Sequence, residues 1–184
     1  MTNRNKIFIN CRPEFNGLCQ LKTYFCGPLG CEKNIHTYNI YFGICDFKLW
    51  TRDWPENYKK GDFVIGVVSD SDLADALEQA AATKKINSQN VVVKRINSTD
   101  DISQCHVLYV NGKTSAEVSP FIEKAKGFSC LIITEGTGMI ESVAAINFVI
   151  VGSAIKFEMN KSRFENRDLI VSNSLDKLAT KVIN

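Results

Sequence analysis

Phe63-Val64-Ile65-Gly66-Val67-Val68-Ser69-Asp70-Ser71-Asp72-Leu73 is the stretch on which the fold turns. Its first six residues contain no polar side chain and are mostly β-branched, the pattern of a strand buried on both faces in a parallel sheet. Asp70 or Ser71 then caps a helix that runs to about Lys85, with Leu73, Ala76, Leu77, Ala80 and Ala81 on one face. A buried strand followed at once by a capped amphipathic helix is the first half of a β-α-β crossover.

Downstream the same alternation continues. Strands are predicted at Val91 to Ile96, Cys105 to Val110 and Cys130 to Thr134, with a helix from Ser115 to Lys126 closed by Gly127. Gly136-Thr137-Gly138 is followed by a further apparent strand segment. Ile146, Phe148 and Ile150 then alternate with Asn147 and Val149, Gly152-Ser153 turns the chain, and Ile155, Phe157 and Met159 return it, which reads as a β-hairpin with one buried face. A last amphipathic helix is predicted over Asn173 to Val182, with Leu175, Leu178, Ala179 and Val182 on its apolar side. The expected fold class is α/β: three layers, a mainly parallel sheet flanked by helices, with a C-terminal antiparallel hairpin at one edge and a terminal helix.

Upstream, His36 to Trp50 carries Ile40, Tyr41, Ile44, Phe47 and Leu49 at helical spacing, and Trp54-Pro55 stops that helix because the residue before proline is pushed out of the α region. The residues before it show no period of 2 or 3.6. The organisation expected is an irregular, Cys-rich extension over residues 1–35 and one α/β domain over 36–184. Ile7-Phe8-Ile9 is too short for the apolar part of a secretory signal, so no export signal is read in the sequence.

With 22 basic and 20 acidic residues the net charge of the 184-residue chain is +2, too balanced for the basic footprint that phosphate backbones demand, and nucleic acid is not an expected partner. No apolar run approaches the roughly 20 residues of a membrane span. Five of the seven cysteines, Cys11, Cys19, Cys26, Cys31 and Cys45, lie in the first quarter, and no two form a Cys-x2-Cys pair suited to zinc. Cys105 is read as a small buried hydrophobe.

Motifs that would signal an enzyme are incomplete. Gly112-Lys113-Thr114 sits between a strand and a helix as the end of a phosphate loop does, but the glycine required five residues earlier is Val107, inside the strand. The plain reading is a turn with Thr114 or Ser115 capping the next helix. Gly136-Thr137-Gly138 is only part of a dinucleotide fingerprint. Of the two histidines, His106 lies in an apolar strand and reads as a satisfied structural residue. No catalytic residue, cofactor or metal ligand is assigned. Glu135 and Glu158 are the carboxylates a small enzyme would use, and a small-ligand receptor is the other alternative.

Cys105-His106-Val107-Leu108-Tyr109-Val110, Gly138-Met139-Ile140, Ala145-Ile146-Asn147-Phe148, Ile155-Lys156-Phe157-Glu158-Met159-Asn160 and Ser172-Asn173-Ser174-Leu175-Asp176-Lys177-Leu178-Ala179 form one colinear series from about Phe63 to Val182. In order and spacing the series resembles the YfiR-like family of bacterial periplasmic regulatory proteins, and Trp54-Pro55 extends the match. The resemblance implies a non-enzymatic regulator in the periplasm, often a homodimer, that binds the sensor part of a membrane-bound diguanylate cyclase and so lowers cyclic di-GMP and biofilm growth. It implies no catalytic residue and no cofactor.

Open α/β sheets bind ligands and partner loops outside the carboxyl ends of their strands. That rim is expected to hold Asn111, Glu135, Gly136, Thr137 and Gly138, where the glycines allow close backbone approach. Cys105, Phe157, Glu158, Asn160, Leu175 and Leu178 are expected to be structural, with Asn160 capping the segment Lys161 to Glu165 and Leu178 docking the last helix.

Overall fold

The computed structural model describes residues 54–82, 84–151, 154–171 and 173–184, all within the unit Cys31–Asn184. The Cys-rich stretch 1–35 and the helix expected over 36–50 lie outside the described residues, as does the turn at Gly152-Ser153. A 3-10 turn over Glu56–Lys59 leads into β1, Phe63–Val68, in which all six residues are buried. That is what an apolar run without alternation requires: it must be covered on both faces.

Asp70 caps α1, Ser71–Ala81, by accepting from the Leu73 backbone N–H at 2.9 Å. The helix stops one turn short of the expected Lys85. Lys85–Ile86 instead forms a short strand, β2, joined to β3, Gln89–Ile96, through Asn87 and Ser88 at φ 49° and 72°. Two positive φ values make the tight hairpin turn, and Asn tolerates that conformation better than most residues, but a two-residue strand has no period to read.

The remaining strands are β4, Val107–Asn111; β5, Leu131–Glu135; β6, Ile146–Val151; β7, Ala154–Asn160; and β8, Lys181–Ile183. They form one eight-stranded sheet in the order β2-β3-β1-β4-β5-β6-β7-β8. Pairing is parallel from β3 through β6 and between β7 and β8, and antiparallel for β2 with β3 and β6 with β7. Helices α2, Ser115–Lys124, and α3, Met139–Ser142, join Val68, Leu108 and Ile132 in one core, while α1 packs with Phe63, Val67, Tyr109 and Ile133 in the other. These are the three layers expected of the fold class.

Three local expectations give way. The segment after Gly138 is a short helix, α3, instead of a strand: Gly138 turns the chain at φ 75° and Ser142 Oγ donates back to its carbonyl at 3.0 Å. The hairpin's buried face ends before its tip, leaving Ile150 53% exposed. The C-terminal helix is the largest correction. After α4, Lys161–Glu165, helix α5 covers only Asn173–Asp176, and the chain then extends into β8 beyond the hairpin, so the hairpin is not the sheet edge. Thr180 commits its backbone N–H and hydroxyl to Phe157 O at 2.8 and 3.0 Å, which starts the extended pairing. Leu175 is buried, at 2% exposure, but Leu178 is 54% exposed and holds nothing in the core.

Candidate functional site

The order of the sheet reverses at β1: in sequence it is followed by β3 on one side and by β4 on the other. At such a point the connections leave in opposite directions and open a crevice at the carboxyl ends of the strands. Asp70 and Asn111 span it. Only one Asp70 oxygen is used as the cap of α1; the other accepts from Asn111 Nδ2 at 3.1 Å. Asn111 lies in register with Glu135, and Glu135 Oε2 accepts from the Tyr109 hydroxyl at 3.2 Å. Gly112 follows Asn111 in a close approach, where an added Cβ would stand 2.6 Å from Val118 Cγ1, and Thr114 caps α2 by accepting from Glu117 N. The Gly-Lys-Thr run is thus a packed turn.

The loop after β5 carries the rest of the expected rim. Gly136 and Gly138 take φ values of 146° and 75°, a region that favours glycine, and Thr137 between them is exposed. Asn147 fixes the base of this loop: its amide donates to Gly136 O at 2.7 Å and to Glu158 Oε2 at 3.0 Å, and its oxygen accepts from Thr134 Oγ1 at 2.9 Å. Thr134, Asn147 and Glu158 are aligned across β5, β6 and β7, and the first two are fully buried. A buried amide with its donors and its acceptor engaged holds one geometry, so the loop rests on a rigid floor. The structure therefore brings Asn111, Glu135 and Gly136 to one rim, with Thr137 and Gly138 at the tip of its loop.

Asp70, Tyr109 and Asn147 belong to this arrangement and were not among the expected rim residues. The second oxygen left over once Asp70 caps a helix was the one signal in the sequence; the long-range partners of Tyr109 and Asn147 leave none.

Glu135 and Glu158 do not form a carboxylate pair. Glu135 shares the face of Ile133, while Glu158 alternates with Phe157 and Met159 onto the opposite face, so the sheet lies between them. Glu158 acts as the acceptor for Asn147. Asn160 occupies the cap position of α4 but makes no side-chain cap bond. Its amide donates to Ile140 O of α3 at 3.2 Å and its oxygen accepts from Ser162 Oγ at 2.7 Å, so it ties β7 to the helix that covers it.

His106 is a core residue just before β4. The Val64 backbone N–H donates to its Nδ1 at 3.1 Å, which makes Nδ1 an acceptor and places the ring proton on Nε2, and Nε2 donates to Tyr58 O at 2.7 Å. Burial holds this imidazole below its ordinary range. Cys105 is buried over Gly66, and burial raises its thiol to about 11; Cys130 is raised by the same cause. Neutral thiols of this kind are poor nucleophiles. Among the described residues, no three His, Cys, Asp or Glu side chains come together as a metal site, and no helix is long and apolar enough to cross a membrane.

Comparison with known families returns a match of the YfiR/HmsC-like family model to residues 44–180. No curated protein matches the chain. Among solved structures, a similar one is described as the ABC domain in complex with L-Trp from Streptococcus pneumonia, at 14% identity and a TM-score of 0.48. The similarity covers 66% of this chain and 56% of that one.

Proposed function

The chain belongs to the YfiR/HmsC-like family, and on that premise we propose that it is a non-enzymatic periplasmic regulatory protein that binds a membrane-bound signalling partner of the diguanylate cyclase type. The family match over residues 44–180 is the observation that carries this reading, because it spans seven of the eight strands, β1 through β7. Holding the cyclase's sensor part in its inactive form lowers cyclic di-GMP and with it biofilm growth. The homodimer expected of such proteins is part of the same proposal.

The surface assigned to partner contact is the carboxyl rim, with Asn111, Glu135, Gly136, Thr137 and Gly138, together with Asp70. What supports it is the combination of an exposed loop with a floor fixed by Asn147. Preorganised backbone at a rim loses little conformational freedom on binding. Tagged protein incubated with solubilised bacterial membranes should retain a membrane sensor protein through washing. Thr137→Trp, at an exposed position, should lower that retention while melting stays unchanged. Retention of no membrane protein would overturn the regulatory reading; retention unaffected by Thr137→Trp would move the interface away from the rim.

A further inference from the structure

We propose that His106 is a proton-operated latch: as the neutral ring it holds the Trp54–Lys59 turn on the sheet, and on protonation it releases that turn while the sheet stays folded. The ring is the hub of an aromatic cluster. Its centroid lies 4.3 Å from Phe63, 5.1 Å from Trp54 and 5.3 Å from Tyr58. Trp54 and Tyr58, both buried, come from the turn, whereas Phe63 belongs to β1. The hydrogen bond from Nε2 to Tyr58 O ties the turn to the ring, and the one from Val64 N ties the ring to the sheet.

Protonation places a second N–H on Nδ1, aimed at the Val64 N–H. Two donors then face each other in a buried position, and the Tyr58 and Gln104 backbone groups, which favour the charged ring, offset its burial only in part. Relief requires water to reach the ring. Opening β1 or β4 would break a ladder paired on both sides. Lifting a four-residue 3-10 turn instead gives up the aromatic contacts, the Tyr58 hydroxyl bond to Ser103 O and the Gln89 bond to Tyr58 O. The turn is the weaker element, so the opening is local.

Other titratable groups on the surrounding elements do not supply the same transition. Tyr58, Cys105 and Cys130 are neutral in mild acid, and burial raises all three further; the nearby cationic side chains are Lys59, Lys60 and Arg167. Asp101 is held ionised by the Ser103 N–H and hydroxyl, and Glu56 by Lys59, so both titrate below their ordinary range. Asp62, just before β1, and Asp100, beside Asp101 in the loop before His106, are further carboxylates on these elements. β3 contributes the uncharged Gln89, whose amide donates to Tyr58 O, and Val91 in register with Phe63, with Lys94 further along acting on Cys105.

The test uses the full chain carrying Trp50→Phe and His36→Gln, so that Trp54 is the sole indole and His106 the sole imidazole. As pH falls below about 6.5, Trp54 emission should shift reversibly to longer wavelength while far-ultraviolet circular dichroism is retained. His106→Gln should abolish the shift, and Asp62→Asn should leave it in place. A shift that persists unchanged in His106→Gln, or that coincides with loss of the sheet signal, overturns the latch. Should His106→Gln not fold, nitrogen-15 NMR of the single imidazole decides: the latch requires the Nε2–H tautomer at pH 8 and ring titration with the same midpoint as the fluorescence. The other tautomer, or a different midpoint, refutes it.

Discussion

At the scale of single residues, position in the packing decides what each side chain does, and residue type alone does so only where the chemistry is restrictive. Cys105 and His106 are both buried, as a small soft side chain and a lone histidine in an apolar run lead one to expect. Their partners were not. Gly66 shows why: a Cβ there would stand 2.9 Å from Leu108 Cδ1 and 3.1 Å from Cys105 Sγ, a constraint set by residues about forty positions away. Gly66→Ala should cost about 1 to 3 kcal/mol, read from denaturant midpoints at constant slope. Asn160→Ala removes the donor to the buried Ile140 carbonyl and should cost about 1 to 3 kcal/mol in the same assay, with Ser162→Ala costing less. Acid dependence follows from His106. Its folded value is depressed, so its contribution to stability is fully present above the ordinary imidazole value and is lost as pH falls through the lower folded one. Chemical denaturation at stepped pH should show that decline, and His106→Gln should flatten it.

Among the elements, those with long unbroken signals were read from sequence and those shorter than a period were not. β1, with six buried residues and an Asp cap directly after it, carried the fold class by itself. β2 and α3 are too short to leave a pattern. In the C-terminal segment Leu175, Leu178, Ala179 and Val182 recur at helical spacing without forming one helix, because Thr180 is captured by Phe157 O and the β-branched Val182 and Ile183 complete an edge strand. The two assignments differ in a measurable way. Leu175→Ala should destabilise by about 2 to 5 kcal/mol, as for a buried leucine. Leu178→Ala should change stability by less than about 0.5 kcal/mol, as for a surface position. Equal costs at the two positions would restore the continuous helix.

For the whole molecule, the alternation of strands and helices was enough to expect a mainly parallel three-layer sheet. The general rule for such sheets points to Asn111 and the loop from Glu135 to Gly138 as the rim, whereas Asp70, Tyr109 and Asn147 join them only through the strand order. The central claim is that this rim restrains a membrane diguanylate cyclase from the periplasm. Intracellular cyclic di-GMP, measured in cells lacking the protein and complemented with either the natural chain or Thr137→Trp, tests it most directly. The account predicts that cyclic di-GMP rises on deletion, returns to its starting level with the natural chain, and stays high with a stably folded Thr137→Trp. An unchanged level on deletion, or full restoration by Thr137→Trp, would contradict it.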